Sequence, residues 1–297
     1  MKVIAGIAGE NSSRIIRSFL QTTRAVTEVM AVAVVPKPSR LTSLLDGPRR
    51  GRNRQLRELR ELERQSATEL LDSFSSKLQR PGLTVETVVL YGEPAEELVK
   101  LAKRRRSDLL LLSRYENTDR SNNRLGQVSG RATRYAPCSV VLLHPSRTAH
   151  RVLLLATDGS RQAERAGERL RQLDLGGKPS LLVCTVAAEV SPTFLKSGSL
   201  SISAFTRIKS QLEEQEKVAA QEILRQAAAG FRDTPFQVRE IAIIGDTAEV
   251  LLRVVPERKV DLLALGAKGI STHAQLLLGS VTLKLLNRAT CSILIAR

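Results

Sequence analysis

The chain has 297 residues, and 46 Lys and Arg against 30 Asp and Glu give it a formal net charge of +16. Aromatic residues make up 3% of the sequence and Trp is absent, so stacking platforms for single-stranded nucleic acid are scarce and nucleic acid is disfavoured as a partner. The sequence contains no run of about 20 apolar residues to span a membrane, and its start lacks the apolar stretch of a signal peptide.

The first half of the chain alternates strand-like apolar runs with helix-like amphipathic runs. A long middle helix is predicted near Arg54 to Leu78, after a loop from Lys37 to Arg54 that is rich in Pro, Gly and Arg. The basic run from Lys103 to Arg106 predicts the end of a helix, where cations favour the helix dipole. The apolar runs SDLLLLS, which begins at Ser107, and APCSVVLL, which begins at Ala136, are typical of buried strands.

The second half follows the same order of elements. RVLLLAT predicts a strand, and the helix after it takes Ser160 as its N-cap. SLLVCTVA predicts the next strand, and a long polar helix follows near Phe205 to Gly230. The half then continues with the strand FQVREIAII and a helix from about Thr247 to Val255. It ends with the strand VDLLALG, a helix from Ser280 to Asn287, and the strand CSILIA.

The two halves are copies of one unit. At an offset of 153 residues Gly92 meets Gly245, and SDLLLLS meets VDLLALG. Near the starts the offset is 150, so that VIAGIAGEN meets LLLATDGSR. Apolar strands that alternate with helices predict two tandem Rossmann-like α/β domains, each a doubly wound, five-stranded parallel sheet, with boundaries at residues 1–147 and 148–297.

The three cysteines, Cys138, Cys184 and Cys291, lie in or beside strand-like runs, and none belongs to a CxxC pair. This placement predicts buried, reduced thiols rather than a metal site or a disulfide framework. Reduced thiols favour a cytoplasmic location.

The stretch GAKGISTHAQLLLGSVTLKLL predicts a phosphate site. Gly266 stands at the carboxyl end of a strand, where doubly wound sheets bind ligands, and Gly269 follows in the same loop. Gly279 and Ser280 open the next helix, whose free N–H groups attract anions. Hydroxyl donors on Ser280 and Thr282 and the charge of Lys268 fit the same ligand, whereas His273 is interpreted as a solvated loop residue.

Asp158 occupies a second position of this kind, directly after the first strand of the second half. A carboxylate there suits a ribose or base, or a metal that arrives with phosphates. A turn-capping role for Asp158 is an equal alternative on spacing alone.

These residues carry a resemblance. Two units of about 150 residues, ATDGS after the first strand, and G-x2-G-x9-G-S after the fourth resemble a tandem universal stress protein. The resemblance implies a strand order of 3-2-1-4-5 and binding of ATP or another adenine nucleotide, with Mg²⁺ accompanying it. It places Asp158 near the adenosine and backbone near Val186 against adenine. It also implies phosphate and ribose contacts from the motif, namely from Gly266, Gly269, Gly279 and Ser280, followed by Val281 and Thr282.

The resemblance further implies pairing through the last strands of the units. Ser139 to Leu143 and Ser292 to Ile295 are expected to pair within one chain as a pseudo-dimer, and a homodimer or a protein partner is compatible with the sequence.

The first half departs from the motif at the repeat offset. Ser113 replaces Gly266, Gln127 replaces Ser280, and Ala8 stands where Asp158 stands, so that Gly126 alone is retained. Glu116 replaces Gly269 and brings a negative charge to the phosphate position. The first half is therefore predicted to be degenerate and not to bind ATP in the family's manner. Three roles stay open for it: a packing partner, a docking surface that uses its basic excess, or a site for a different ligand.

The sequence favours a binding protein over an enzyme. It has no Walker A motif, no Ser/His/Asp arrangement and no paired carboxylates at a strand end. The leading hypothesis is an ATP-binding stress-response protein with one site, in the C-terminal half, and at most slow hydrolysis. The alternative is a nucleotide-independent scaffold whose basic first half, which has 26 Lys and Arg against 15 Asp and Glu, docks on an acidic partner.

Overall fold

The structure is a computed structural model that describes residues 1–36, 49–114, 125–145, 150–188, 202–269 and 278–297. Within helices, the side chains of residues 49–56 and 202–205 lie outside this description. The chain divides into two compact units. The N-terminal unit comprises residues 1–149, with residues 173–176 and 292–294 grouped with it, and the C-terminal unit comprises the remainder of residues 150–297.

The N-terminal unit has a sheet of strand order β3-β2-β1-β4-β5, in which the register is parallel throughout. Its strands are β1 (Lys2–Gly6), β2 (Glu28–Pro36), β3 (Thr84–Gly92), β4 (Leu109–Ser113) and β5 (Ser139–Leu143). Its helices in the described residues are α1 (Glu10–Thr22), α2 (Arg49–Lys77), α3 (Pro94–Arg105) and α4 (Gln127–Tyr135).

The C-terminal unit repeats the arrangement, with strand order β10-β9-β6-β7-β8. Its strands are β6 (Val152–Ala156), β7 (Ser180–Ala187), β8 (Gln237–Ile244), β9 (Leu262–Gly266) and β10 (Ser292–Ala296). Its helices in the described residues are α5 (Arg161–Gln172), α6 (Ile202–Ala229), α7 (Thr247–Glu257) and α8 (Ser280–Arg288). The predicted Rossmann-like α/β class is confirmed.

Burial explains why the central strands are continuous apolar runs. All five residues of β4 and all five of β9 are buried, since helices cover both faces of a doubly wound sheet. The edge strands β3 and β8 are mostly exposed or half-buried, and their residues are accordingly mixed in polarity. The core of each unit therefore surrounds its central strands, β1 and β4 in the N-terminal unit and β6 and β9 in the C-terminal unit. In each unit the carboxyl ends of the strands form one rim of the sheet.

The structure corrects one predicted boundary. The segment from Lys37 to Arg54 was predicted to be a loop, but α2 begins at Arg49. Arg and Gln are good helix formers, and they outweigh the single glycine at Gly51. Residues 37–48 lie outside the described residues.

Two further predictions concern the surface and the ends of helices. The basic run after Leu101 ends a helix as predicted, since α3 stops at Arg105 and Arg106 takes a left-handed conformation with φ of 50°. Among the described residues, no helix is both long enough and apolar enough to cross a membrane. The domain boundaries at 147 and 148 and the pairing of the last strands stay predictions.

Candidate functional site

The C-terminal unit contains a cleft of about 440 Å³ at the carboxyl ends of its central strands. The cleft is lined by residues from β6, β7 and β9, from the long helix α6, and from the N-terminus of α8. All nine residues predicted from the sequence are in this lining: Asp158, Val186, Gly266, Lys268, Gly269, Gly279, Ser280, Val281 and Thr282. His273 lies in residues 270–277, outside the described residues.

Gly266 ends β9 at a position where a side chain does not fit. A Cβ at this position would lie 2.7 Å from Cβ of Gln162 and 2.8 Å from its backbone carbonyl carbon, so α5 packs directly on the strand end. Thr282, which is 3% exposed, donates a hydrogen bond of 3.2 Å from Oγ1 to the Gly266 carbonyl. This bond joins the end of β9 to the first turn of α8.

The first turn of α8 presents backbone donors to the cleft. Gly279 is the N-cap residue, and no side-chain hydrogen bond caps the helix there. Its own N–H donates to the Ala267 carbonyl at 2.8 Å, which fixes the entry of the chain into the helix. The N–H groups of the following residues point out of the helix end, and an unsatisfied helix N-terminus carries a partial positive charge.

Asp158 lines the same cleft from the turn after β6. Its Oδ1 accepts a hydrogen bond of 3.0 Å from the Ser160 N–H. A Cβ on Gly269 would lie 2.6 Å from its Oδ2, so the glycine allows the loop after β9 to pass close to the carboxylate. Ser160 Oγ in turn accepts a hydrogen bond from the Ala163 N–H at 3.2 Å, which confirms Ser160 as the cap of α5.

The turn between Asp158 and Ser160 depends on a glycine. Gly159 has φ of +74°, a left-handed conformation that side-chain-bearing residues rarely adopt. A Cβ there would also lie 3.2 Å from Cγ1 of Ile223, so the long helix α6 closes tightly on the turn. Asp158 therefore lies in a turn that is fixed by the backbone on one side and by α6 on the other.

The opposite wall of the cleft is apolar. Val186 lies at the end of β7, with Cys184 two residues earlier, and α6 adds Ala220 and Ile223. Burial raises the pKa of the Cys184 thiol to about 11, so the thiol is protonated and unreactive at neutral pH. This wall provides a slot for a flat, uncharged ring.

α6 and α7 contribute lining residues that were not predicted from the sequence. Glu216, Ala219, Ala220 and Ile223 come from α6, and Thr247 and Leu251 come from α7. The helical periodicity of small and apolar residues on one face of α6 was the pattern that would have found them. Asp246 caps α7 by accepting the Glu249 N–H at 3.0 Å; this bond, together with Lys284, lowers the Asp246 pKa.

Two basic residues of α8 that could be mistaken for phosphate ligands have structural partners. Lys284 lies 3.8 Å from Asp246, and Arg288 forms an ion pair with Glu249. Both pairs are exposed and join α8 to α7, so they support the interpretation that these cations form the polar face of the helix.

The N-terminal unit has a cleft at the equivalent rim, and its lining differs. Ala8 lines it at the position that corresponds to Asp158. Ser113 ends β4 and is buried, where the C-terminal unit has Gly266. Gly126 is the N-cap of α4, and Gln127 begins that helix in place of Ser280. Glu116 lies outside the described residues.

Comparisons with known proteins agree with the repeat. The model of the universal stress protein family matches the chain twice, over residues 1–144 and 150–297. A Thermus aquaticus protein described as "Universal stress protein in QAH/OAS sulfhydrylase 3'region" is 30% identical over 149 residues, which cover 50% of this chain and 98% of that protein. Universal stress protein Rv1636 of Mycobacterium tuberculosis is 29% identical over 157 residues, covering 50% of this chain and 97% of its own.

A solved structure extends the similarity over both units. A universal stress protein from Archaeoglobus fulgidus has a TM-score of 0.64 and 17% identity, and the alignment covers 100% of this chain and 98% of that one. At this identity the similarity shows the fold.

Proposed function

The chain belongs to the universal stress protein family, and from that premise we propose that its C-terminal unit binds an adenine nucleotide, ATP in the first instance, as part of a stress response. The observation that carries the proposal is that the nine residues predicted from the sequence line one cleft of about 440 Å³. This volume falls within the roughly 300–1,000 Å³ of small-molecule sites.

The phosphates fit the end of the cleft formed by α8. The first turn of this helix offers N–H groups after Gly279, and the Ser280 side chain is exposed at the same place. Gly269 brings backbone close to the ligand, and Lys268 adds a positive charge to the lining. These are the groups that anion sites at helix N-termini use.

The nucleoside fits the opposite end of the cleft. Asp158 accepts a backbone hydrogen bond through Oδ1 and lies in the lining, where a carboxylate can accept hydrogen bonds from ribose hydroxyls. The apolar residues Val186, Ala220 and Ile223 provide van der Waals contact for adenine, and backbone groups at the end of β7 are available to its edge.

We propose a binding role without rapid turnover. No group of three or more His, Cys, Asp or Glu that suits a metal ion is found among the described residues, so Mg²⁺ is expected to arrive with the phosphates. Rapid, Mg²⁺-dependent ATP cleavage that is abolished by Asp158→Ala would refute this role. The three cysteines are buried thiols that form no disulfide, which supports a reducing, cytoplasmic location.

Calorimetric titration with ATP and Mg²⁺ tests the proposal. We expect one site per chain in the wild type, loss of binding in Gly279→Val, and retention in the matched variant Gly126→Val. Both glycines are N-cap residues with φ near −60° to −70°, so both substitutions are compatible with the backbone. The Val side chain at residue 279 occupies the approach to the helix end.

Two results would overturn the proposal. One is the absence of binding in the wild type, which would favour the scaffold hypothesis. The other is loss of binding in Gly126→Val alone, which would place the site in the N-terminal unit. Competition by ADP, AMP and a cyclic nucleotide then ranks the ligands. These ligands share the adenosine and differ only in the phosphate groups that they present to the α8 end of the cleft.

A further inference from the structure

The cleft of the N-terminal unit has a volume of about 660 Å³. It lies where the carboxyl ends of β1, β2 and β4 meet the long helix α2. Among the described residues of its lining, Glu63 and Ser66 are the polar side chains, and both belong to the exposed face of α2. The other described residues of the lining are Gly, Ala, Pro, Val, Leu and Ile.

The strand registers allow the two clefts to be compared position by position. Val3 pairs with Val29 in the N-terminal unit, and Leu153 pairs with Leu181 in the C-terminal unit. Corresponding positions of β2 and β7 are therefore offset by 152 residues, so Ala33 corresponds to Thr185.

Five positions that bear a hydroxyl, thiol or carboxylate in the C-terminal cleft are apolar in the N-terminal one. The replacements, written from the C-terminal to the N-terminal unit, are Thr157 to Ile7, Asp158 to Ala8, Cys184 to Val32, Thr185 to Ala33, and Thr247 to Pro94. All ten residues line their respective clefts. The N-terminal cleft has thus lost the groups for a nucleotide and has kept the volume.

The floor and mouth of the N-terminal cleft are also apolar. Gly6 allows Leu112 and Leu98 to pack over the end of β1, where a Cβ would lie 2.8 Å from Cδ2 of Leu112. At the mouth, Leu62 belongs to the lining and is 60% exposed. Leu62 therefore extends the apolar lining of the cleft to the surface of α2.

We propose that the N-terminal cleft binds an uncharged, largely apolar small molecule. An aliphatic or aromatic ligand would exchange water for contacts with Val34, Leu70, Leu98 and Leu112 and would cover Leu62. A phosphate or carboxylate head would find no positive charge among the lining residues that the structure describes, and it would face Glu63. The proposal concerns a second ligand of the chain, and it does not depend on nucleotide binding by the C-terminal unit.

Fluorescence titration of the full chain with N-phenyl-1-naphthylamine, a neutral apolar probe, tests this site. We expect saturable uptake of one probe per chain, displaced by 1-decanol and unaffected by ATP. Ser66→Trp places an indole at the lip of the cleft on an exposed helical position, and Ala8→Asp restores the carboxylate of the other unit. Each is expected to weaken probe binding about tenfold or more, since either obstructs or polarises an apolar site.

Ala219→Trp is the matched control, because Ala219 corresponds to Ser66 and lines the C-terminal cleft from an equally exposed position. It is expected to weaken ATP binding and to leave probe uptake unchanged, whereas Ser66→Trp should do the reverse. Retained ATP binding by Ser66→Trp also shows that the variant is folded; circular dichroism provides the same check if ATP does not bind.

Three results would overturn the proposal. These are no saturable uptake by the folded wild type, uptake that both N-terminal variants retain, and uptake that ATP or Ala219→Trp abolishes. A fourth such result is probe uptake only by a variant that lacks residues 38–47. It would mean that this segment of the chain, and not a small molecule, is the occupant of the cleft.

Discussion

The two clefts occupy the same rim of the same fold, and they differ in the groups that line them. The C-terminal cleft has Asp158, a bare helix N-terminus after Gly279, and a glycine at the end of β9. The N-terminal cleft is lined by Ala8, and in that unit Gln127 begins the corresponding helix and Ser113 ends the corresponding strand. In both units the backbone of the doubly wound fold forms a cavity at this rim, and a few side chains at the strand ends determine which ligand fits it.

The largest effect is expected from the strand-end pair Gly266 and Ser113. Gly266→Ser brings the N-terminal residue into the C-terminal unit, where its Cβ would lie 2.8 Å from the Gln162 backbone. Because backbone must move, we expect a loss of about 3 kcal/mol in the free energy of unfolding, the upper end of the usual cost of overpacking. Urea unfolding followed by circular dichroism measures it.

Ser113→Gly is the control for this pair. It removes a small buried side chain and is expected to cost only about 0.5–1 kcal/mol through added backbone freedom. Equal losses in the two variants would mean that the strand ends are not packed differently, and the comparison would fail there.

The next effect concerns binding by Asp158. Asp158→Ala is expected to weaken ATP binding by about 1.5–3 kcal/mol, roughly 10- to 150-fold in Kd, because hydrogen bonds to a charged group are lost. Calorimetry with 2′,3′-dideoxy-ATP sharpens the test: if the carboxylate holds the ribose hydroxyls, the substitution should change the affinity for the dideoxy ligand little. An equal loss of affinity for ATP and for the dideoxy ligand would show that Asp158 does not act through the ribose hydroxyls.

A smaller effect is expected from the turn glycines, Gly159 and Gly9. Gly159 has φ of +74°, and a Cβ there would lie 3.2 Å from Ile223, whereas Gly9 is extended with φ of 170° and has open space. Gly159→Ala is therefore expected to cost about 1–2 kcal/mol of stability. Gly9→Ala should stay within about 0.5 kcal/mol of the wild type. Thermal unfolding of the two variants gives the ranking, and a costlier Gly9→Ala would contradict it.

At neutral pH the smallest effect is expected from the thiol in the C-terminal cleft. Burial raises the pKa of Cys184 to about 11, above its ordinary value of 9.0. The folded state therefore holds this proton more tightly than the unfolded state, and the resulting stability is present below pH 9 and is lost as the pH rises from 9 to 11. Cys184→Val, which copies Val32, should remove this dependence, so wild type and variant should diverge only above pH 9 in urea unfolding. Parallel curves at all pH values would contradict the burial argument.

Much of the fold was predictable because the repeat supplied two independent copies of each pattern. Fully apolar runs such as LLALG gave the buried strands, and Ser160 marked the start of α5 through its capping chemistry. The start of α2 was predicted wrongly, because Pro and Gly in residues 47–51 outweighed the helix-forming Arg residues in a local interpretation.

The cleft was predictable only in part. The nine motif residues lie at strand ends and a helix start, which are positions that spacing along the chain reveals. Ala219 and Ile223 come from a helix far from the motif in sequence, and only the packing of α6 over Gly159 brings them to the cleft. The apolar character of the N-terminal cleft was missed for the same reason, since it depends on residues far apart in sequence, such as Ala33 and Pro94, that line the same cleft.

The placement of both clefts outside the carboxyl ends of the strands has an evolutionary consequence. The residues that differ between them cluster at the carboxyl ends of the strands, so a duplicated copy can exchange several ligand-facing residues while most of the core that makes it fold stays intact. After duplication, one copy can keep the original ligand while the other acquires residues for a different ligand on the same fold.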